Sequence, residues 1–159
     1  MIVRKTTRAD IGAIDKIYRD AKIFMRENGN PTQWRGEYPN ALDATEDIDN
    51  GGYVCEDDGE IVAVFYFHIG NDKTYDVIYD GKWLNDEPYA VIHRIAVARR
   101  GRGIAAFCFD ECYKMFPNLK IDTHKDNIAM QRALEKSGFE YCGIIHLENG
   151  EERIAFQKV

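Results

Sequence analysis

Apolar residues recur at helical spacing near the N-terminus of the chain. Between residues 11 and 25 they fall three or four positions apart, which predicts an amphipathic helix that ends at Gly29-Asn30-Pro31. The apolar face of this helix consists of Ile11, Ile14, Ile17, Tyr18, Ala21, Phe24 and Met25. A short strand over residues 1–6 is predicted before the helix, and a short acidic helix over about residues 41–49 is predicted after it.

Short apolar and alternating segments in the middle of the chain predict strands. Residues 53–56 and 61–67 flank Asp58-Gly59, a pair typical of a two-residue β-hairpin turn. Residues 75–79 predict a further strand that enters a loop at Asp80-Gly81. Residues 89–97 predict the next strand.

Helices and strands alternate in the C-terminal half. A helix from residue 104 stops at Pro117, and residues 119–123 form a strand. Asp126 or Asn127 then caps another helix, which closes at Ser137-Gly138.

The chain ends in a predicted hairpin, in which residues 139–147 and 153–158 pair through Asn149-Gly150. The complete order is β-α-α-β-β-β-β-α-β-α-β-β. It predicts one α/β domain over residues 1–159, with a mixed, mostly antiparallel sheet, a single βαβ crossover and helices on both faces.

Composition and charge narrow the possible partners. The 159 residues are 45% apolar and 30% charged and carry a net charge of −6, which suits one globular domain. The negative charge argues against a general nucleic-acid binder, because such binding depends on neutralising phosphates. No apolar run is long enough for a signal peptide or a membrane span, so a cytoplasmic location without a membrane partner is expected.

Cysteines and histidines give no sign of a metal site. Cys55, Cys108, Cys112 and Cys142 form no C-x-x-C pair, and we expect all four to be reduced packing residues in the core. The four histidines show no HxH or HxxxH spacing, so no metal is expected.

The segment that carries most chemical information joins the strand at 89–97 to the following helix. This turn contains Arg99, Arg100 and Arg102 together with Gly101 and Gly103. Glycines let backbone N–H groups converge on a ligand, the first helical turn adds unpaired N–H donors, and arginine suits phosphate oxygens. The turn therefore predicts a site for a phosphate-bearing cofactor.

This turn and a later motif resemble the GCN5-related N-acetyltransferase (GNAT) superfamily. Arg100-x-x-Gly103-x-Ala105 fits its [RQ]-x-x-G-x-[GA] signature, and Asn127 followed by Glu135-Lys136-Ser137-Gly138-Phe139 fits its N-x(7)-E-K-x-G-F element. The resemblance spans nearly the whole chain and implies a GNAT-like fold. It also implies that acetyl-CoA donates an acetyl group directly to a primary amine in a ternary complex. The superfamily often forms dimers, so a homodimer is one expectation.

The resemblance also assigns roles to individual residues. The turn would hold the pyrophosphate, the preceding strand would pair with the pantetheine arm, and an asparagine would contact that arm. These cofactor-binding residues are Ile95, Ala96, Val97, Arg100, Gly101, Arg102, Gly103, Ile104, Ala105 and Asn127.

Candidate catalytic residues are a histidine and a tyrosine. His93 is the first candidate for the base, because an imidazole titrates near neutrality, although a hydrogen-bonded core histidine fits the pattern equally well. His124 is the second candidate. The tyrosine that relatives carry seven residues after the asparagine is replaced by Leu134, which leaves Tyr141 or a solvent proton as candidate acids for the leaving thiolate. A cysteine nucleophile is less favoured, because the thiols fall in apolar patterns.

The acceptor pocket is expected to form from the first helices and the loops before the arginine-rich turn. Its candidate lining residues are Trp34, Glu37, Tyr38 and Tyr79. A carboxylate among aromatic rings suits an amine on a small molecule or a peptide, and Trp34 fits a packing role equally well.

Two other functions are consistent with parts of the sequence. Gly101-x-Gly103-x-x-Ala106, with Asp122 about 20 residues on, matches a dinucleotide-binding fingerprint and would indicate an oxidoreductase. The preceding strands are joined by hairpins rather than helices, which disfavours that function. The substitution of Leu134 for tyrosine instead favours a non-catalytic acyl-CoA-binding module.

Overall fold

A seven-stranded mixed sheet forms the centre of the structure, a computed structural model that describes residues 1–159. The strands are β1 (Ile2–Lys5), β2 (Gly52–Asp57), β3 (Glu60–Ile69), β4 (Ala90–Val97), β5 (Leu119–Thr123), β6 (Glu140–His146) and β7 (Glu152–Lys158). The helices are α1 (Ile11–Glu27), α2 (Ala41–Asp47), α3 (Ile104–Met115) and α4 (Ile128–Lys136).

The strands lie in the order β1-β2-β3-β4-β5-β7-β6, and β4 with β5 is the single parallel pair. Helix α3 makes the crossover between these two strands. The predicted mixed, mostly antiparallel sheet with one βαβ crossover is therefore confirmed. No helix combines the length and the apolar character that crossing a membrane would require.

The two faces of the sheet are covered by different helices. On one face, α1 and α2 pack against Val54, Val64 and Ala96. On the other face, α3 and α4 close a core of 17 buried residues that includes Leu134 and Phe156. As predicted, the four cysteines are buried and form no disulfide.

Residues 70–89 connect β3 to β4 and form a long, mostly irregular segment that we call the strap. The predicted strand at 75–79 is wrong, because the strap there contains only a short 3-10 turn, Lys73–Tyr75. The Asp72 carboxylate accepts hydrogen bonds from the N–H (2.9 Å) and the hydroxyl (2.7 Å) of Thr74, which favours the turn over an extended chain. The Tyr75 ring is buried, and one isolated bridge joins Tyr79 to Ile144.

Buried polar groups fasten the strap to the sheet. The Trp83 Nε1–H donates to the carbonyl of Tyr75 (2.9 Å), and the N–H of Leu84 donates to the side-chain oxygen of Gln157 (2.8 Å). The fully buried Gln157 amide in turn donates to Asn118 (2.7 Å). These partners satisfy groups that would be costly to bury alone, so the strap has a defined position.

The parallel pairing of β4 with β5 is short. It consists of Ala90 with Leu119 and Val91 with Lys120, after which the strands diverge. A bulge also adds one residue to β4 between the positions that face Val64 and Tyr66, and Arg94 adopts a positive φ of 52° there. The second half of β4 thus has an unpaired edge that faces the gap toward β5.

We expect Gly81→Ala to destabilise the protein by about 1–3 kcal/mol, as is typical of overpacking. A Cβ atom at Gly81 would overlap the carbonyl oxygen of Cys142, so the strap would have to move. Gly12→Ala is the control, because position 12 lies in α1 with no atom near the added carbon, and alanine there is expected to stabilise by up to about 1 kcal/mol. Urea unfolding measures both; equal stability of Gly81→Ala and the parent protein would contradict the tight contact.

Candidate active site

A cavity of about 470 Å³ lies between the C-terminal part of α1, the second half of β4, the arginine-rich turn, the first turn of α3 and the length of α4. We call it the α3 cavity. All ten residues predicted to bind the cofactor line it: Ile95, Ala96, Val97, Arg100, Gly101, Arg102, Gly103, Ile104, Ala105 and Asn127. Arg99 of the same turn also lines the cavity, together with Phe24 and Arg132, which the sequence did not indicate.

The turn that closes this cavity requires its glycines. Gly101 and Gly103 have φ values of 73° and 70°, in the left-handed region that a side chain disfavours. Gly103 is also the N-cap of α3, and no side chain caps the helix. The first N–H groups of α3 therefore lack helical partners and remain available to an anion.

The three arginines of the turn differ in how far their charges are neutralised. Arg99 is paired with Glu60 at 2.7 Å. The Arg100 guanidinium lies over the ring of Phe24, 3.1 Å from its centroid, and burial lowers its pKa. Neither Arg100 nor Arg102 has a carboxylate within 4.0 Å, so both charges are free to meet phosphate.

A second cavity, of about 520 Å³, opens where β4 and β5 diverge, and we call it the β4–β5 cavity. It adjoins the α3 cavity, since Met25, Ile95, Asn127 and Met130 line both. Its polar lining includes Asp72 from the strap, His93 and Arg94 from β4, Asp122 and Thr123 from β5, and Arg153 from β7.

His93 is held in this cavity by the strap. Its Nε2 lies 2.8 Å from the Asp72 carboxylate, and its ring stacks on Tyr66 with centroids 6.0 Å apart. The hydrogen bond from His93, aided by those from Thr74, lowers the pKa of Asp72 to about 2. An ionised carboxylate only accepts hydrogen bonds, so neutral His93 carries its proton on Nε2 and has a free lone pair on Nδ1.

His124 is committed to structural contacts. Its Nε2 lies 3.2 Å from the Thr32 hydroxyl, and its Nδ1 accepts a hydrogen bond from the N–H of Asp126 (3.0 Å). Burial lowers its pKa. With both ring nitrogens engaged, His124 is a poorer base than His93.

The structure does not bring Tyr141 to either cavity, which corrects the expectation that it serves as the acid. Tyr141 lies on the edge strand β6, where it is 53% exposed and packs edge-on against Phe156. Leu134, which replaces the usual tyrosine, is fully buried in the core.

Two of the four predicted acceptor residues line the β4–β5 cavity. Trp34 and Tyr38 do so, and Trp34 also packs edge-on against Tyr18. Glu37 is exposed outside the cavity. Tyr79 is placed elsewhere by the strap and stacks on His146, with centroids 4.6 Å apart.

Several polar residues that line the β4–β5 cavity were not among the predicted site residues, and they include Asp72, Arg94, Asp122, Thr123 and Arg153. Arg94 forms a bidentate ion pair with Asp47 (2.6 and 2.7 Å), and Asp122 accepts a hydrogen bond from the buried Tyr75 hydroxyl (2.7 Å). The Thr123 hydroxyl is buried and has no hydrogen-bond partner. No local motif marks these residues, because they come from different segments.

Comparison with known proteins identifies the same fold. The family model described as "Acetyltransferase (GNAT) family" matches residues 13–139. A GNAT family acetyltransferase from Streptococcus agalactiae is 32% identical, with a TM-score of 0.91 over 99% of this chain and 94% of that chain. A putative acetyltransferase from Staphylococcus aureus is 22% identical, with a TM-score of 0.70 over 99% and 98% of the two chains.

A structure of YncA, a putative acetyltransferase from Salmonella typhimurium, contains its cofactor acetyl-CoA. It is 15% identical to this chain, with a TM-score of 0.61 over 98% of this chain and 91% of that chain, and so shares the fold. No curated protein sequence matches significantly. The family model and the 32% identical relative show that this chain belongs to the GNAT family of acetyltransferases, which use acetyl-CoA.

Proposed function

We propose that the protein transfers the acetyl group of acetyl-CoA to the primary amine of an acceptor bound in the β4–β5 cavity. The observation that carries this proposal is the His93–Asp72 pair, which lies in a cavity that adjoins the one lined by the cofactor motif. A base in a cavity next to that of the cofactor can take a proton from an amine that faces the acetyl group.

The α3 cavity fits a long ligand that ends in a diphosphate. Arg100, Arg102 and the free N–H groups at the start of α3 would hold the phosphates, and the unpaired edge of β4 would bind the amides of the pantetheine arm. Acetyl-CoA supplies an activated acetyl thioester when it is bound. The Asn127 side chain caps α4 by accepting from the N–H of Met130 (3.1 Å), and it also donates to Gln33 (3.0 Å). Through these two hydrogen bonds the Asn127 side chain would help to fix the shape of the α3 cavity where α4 begins.

His93 acts as the general base in this mechanism. Asp72 stays ionised at neutral pH, keeps the imidazole proton on Nε2 and stabilises the imidazolium that forms when Nδ1 takes a proton from the amine. Direct transfer is supported by the state of the thiols, since burial raises the pKa of Cys112 to about 12 and that of Cys142 to about 11. Such thiols are poor nucleophiles at neutral pH.

Thr123 is the candidate donor to the leaving sulfur, because Leu134 has no proton to give. Among the hydroxyl groups that line the β4–β5 cavity, those of Thr32, Thr74 and Tyr38 have hydrogen-bond partners, whereas that of Thr123 has none. A buried hydroxyl without a hydrogen-bond partner destabilises the folded protein unless a ligand supplies the partner.

The alternatives are less well supported. A non-catalytic acyl-CoA-binding module would not need an oriented His93–Asp72 pair facing a second cavity. A dinucleotide-binding oxidoreductase would need Asp122 at a ribose, whereas Asp122 is bonded to Tyr75 in the β4–β5 cavity.

We expect His93→Gln to lower kcat/KM for amine acetylation by about 10²–10⁴-fold, the usual contribution of a general base. Affinity for coenzyme A should stay unchanged, because His93 does not line the α3 cavity. Steady-state kinetics and calorimetry measure the two effects. His146→Gln is the matched control, since that exposed histidine stacks on Tyr79 outside both cavities. Wild-type turnover in His93→Gln would remove His93 from the mechanism.

Arg102→Gln is expected to weaken coenzyme A binding by about tenfold to a hundredfold, because a charged hydrogen bond contributes about 1.5–3 kcal/mol. Arg19→Gln makes the same change of charge on α1, in a surface pair with Asp15, and should leave the affinity unchanged. Calorimetric titration compares the variants. An equal loss in both would show that only the overall charge matters.

Thr123→Val should lower kcat by about tenfold through loss of the donor, while stability stays equal or rises because an unpaired buried hydroxyl is removed. Thr123→Ser keeps the hydroxyl and should retain most of the activity. Steady-state turnover measures the change in kcat, and thermal unfolding measures the change in stability. The ultraviolet absorbance of bound coenzyme A reports its thiolate. A kcat of Thr123→Val equal to that of the parent protein would exclude the role.

A further inference from the structure

The β4–β5 cavity separates negative from positive charge, and this separation specifies an acceptor. We infer that the acceptor is a small amino acid with a free carboxylate, whose amine faces His93 and whose carboxylate binds Arg153. This inference rests on the proposed function, because it names the substrate class of the same cavity.

The negative side of the cavity lies where β4 and β5 diverge. Asp72 and Asp122 both line the cavity there, and neither is paired with an arginine or a lysine. Asp72 is bonded to His93, and Asp122 accepts its hydrogen bond from the neutral hydroxyl of Tyr75. Two carboxylates without a cationic partner attract an ammonium group and keep it beside the base.

The Arg94–Asp47 pair does not change this distribution. Arg94 is the other β4 side chain with a charge in the cavity, but both oxygens of Asp47 lie within 2.7 Å of its Nη2. The pair is therefore close to neutral as seen by a ligand, and Nη2 is already engaged by Asp47.

The positive side of the cavity lies at the start of β7. Arg35 and Arg153 share one carboxylate, that of Glu151, at 3.1 and 3.2 Å. Two guanidinium groups and one carboxylate leave a net positive charge at this end. A carboxylate on the ligand would neutralise it.

Arg153 is the residue built to bind that carboxylate. Its side chain is only 7% exposed, although it lines the cavity. A guanidinium has five N–H donors, and within the protein Arg153 uses two of them, one on the carbonyl of Glu152 (2.9 Å) and one on Glu151. A buried arginine with free donors facing a cavity fits the planar fork geometry of a carboxylate.

The sheet places the two binding groups on opposite sides of β5. His93 lies on β4, which has diverged from β5 at this point, and Arg153 lies on β7. The two residues point to the same cavity, which also presents Trp34, Met25 and Leu147 as apolar surface for the body of the ligand. The cavity, of about 520 Å³, has room for a single amino acid with its side chain against these residues.

The test compares free amino acids with their carboxamides and with the matching decarboxylated monoamines, using acetyl-CoA consumption as the assay. The free acids are expected to exceed both comparison sets at least tenfold in kcat/KM. This preference should disappear in Arg153→Gln and persist, at lower turnover, in Arg153→Lys, which keeps the charge but loses the fork. Equal kcat/KM values of the parent protein for the free acids and for the carboxamides would overturn the inference. This comparison does not depend on whether Arg153→Gln folds.

A binding measurement separates this inference from the proposed function. Protein saturated with coenzyme A is titrated with the same amino acids and carboxamides in a calorimeter. Binding of amino acids that depends on Arg153, without any acetylation, would support the carboxylate site and contradict the proposed function. Acetylation of amines with no effect of the carboxylate or of Arg153→Gln would support the function and overturn the carboxylate site.

Discussion

The divergence of β4 from β5 after two residue pairs is the constraint on which the rest of the site depends. Parallel strands normally satisfy each other's backbone groups along their whole length. Here the bulge at Arg94 turns the second half of β4 away, and its open edge becomes a wall of the α3 cavity. The same gap opens into the β4–β5 cavity, so the two cavities adjoin each other where the strands diverge.

The strap turns this gap into a chemical site. It has little regular structure, yet buried hydrogen bonds through Trp83, Leu84 and Gln157 hold it against the sheet. That position brings Asp72 to His93 and the Tyr75 hydroxyl to Asp122. These buried polar groups find their hydrogen-bond partners inside the protein only when the strap lies in this position, so they favour it over many alternatives. The His93 side chain is therefore oriented by packing that lies well away from it.

Local patterns in the sequence predicted most of the fold and one of the two cavities. Helical spacing in α1 and the Asp58-Gly59 turn depend on neighbouring residues, and both appear where the sequence indicated. The residues predicted to bind the cofactor lie, apart from Asn127, in a nearly continuous segment, and all of them line the α3 cavity. The strand predicted at 75–79 failed because Asp72 favours a turn there and Tyr75 is drawn into the core, contacts that a propensity does not contain.

The sequence by itself determined the class of fold, the arginine-rich turn and the family resemblance, because these are encoded in short segments whose residues act together. Only the tertiary structure decided which polar groups share the β4–β5 cavity. Asp72, Asp122 and Arg153 lie far apart in the chain and meet because β4, β5, β7 and the strap converge. Tyr141 and Tyr79 show the converse, since their residue type suggested chemistry but the path of the backbone carried them to the surface. The function of a charged side chain depends on the residues that surround it in the folded protein, and most of those residues are distant from it in the sequence.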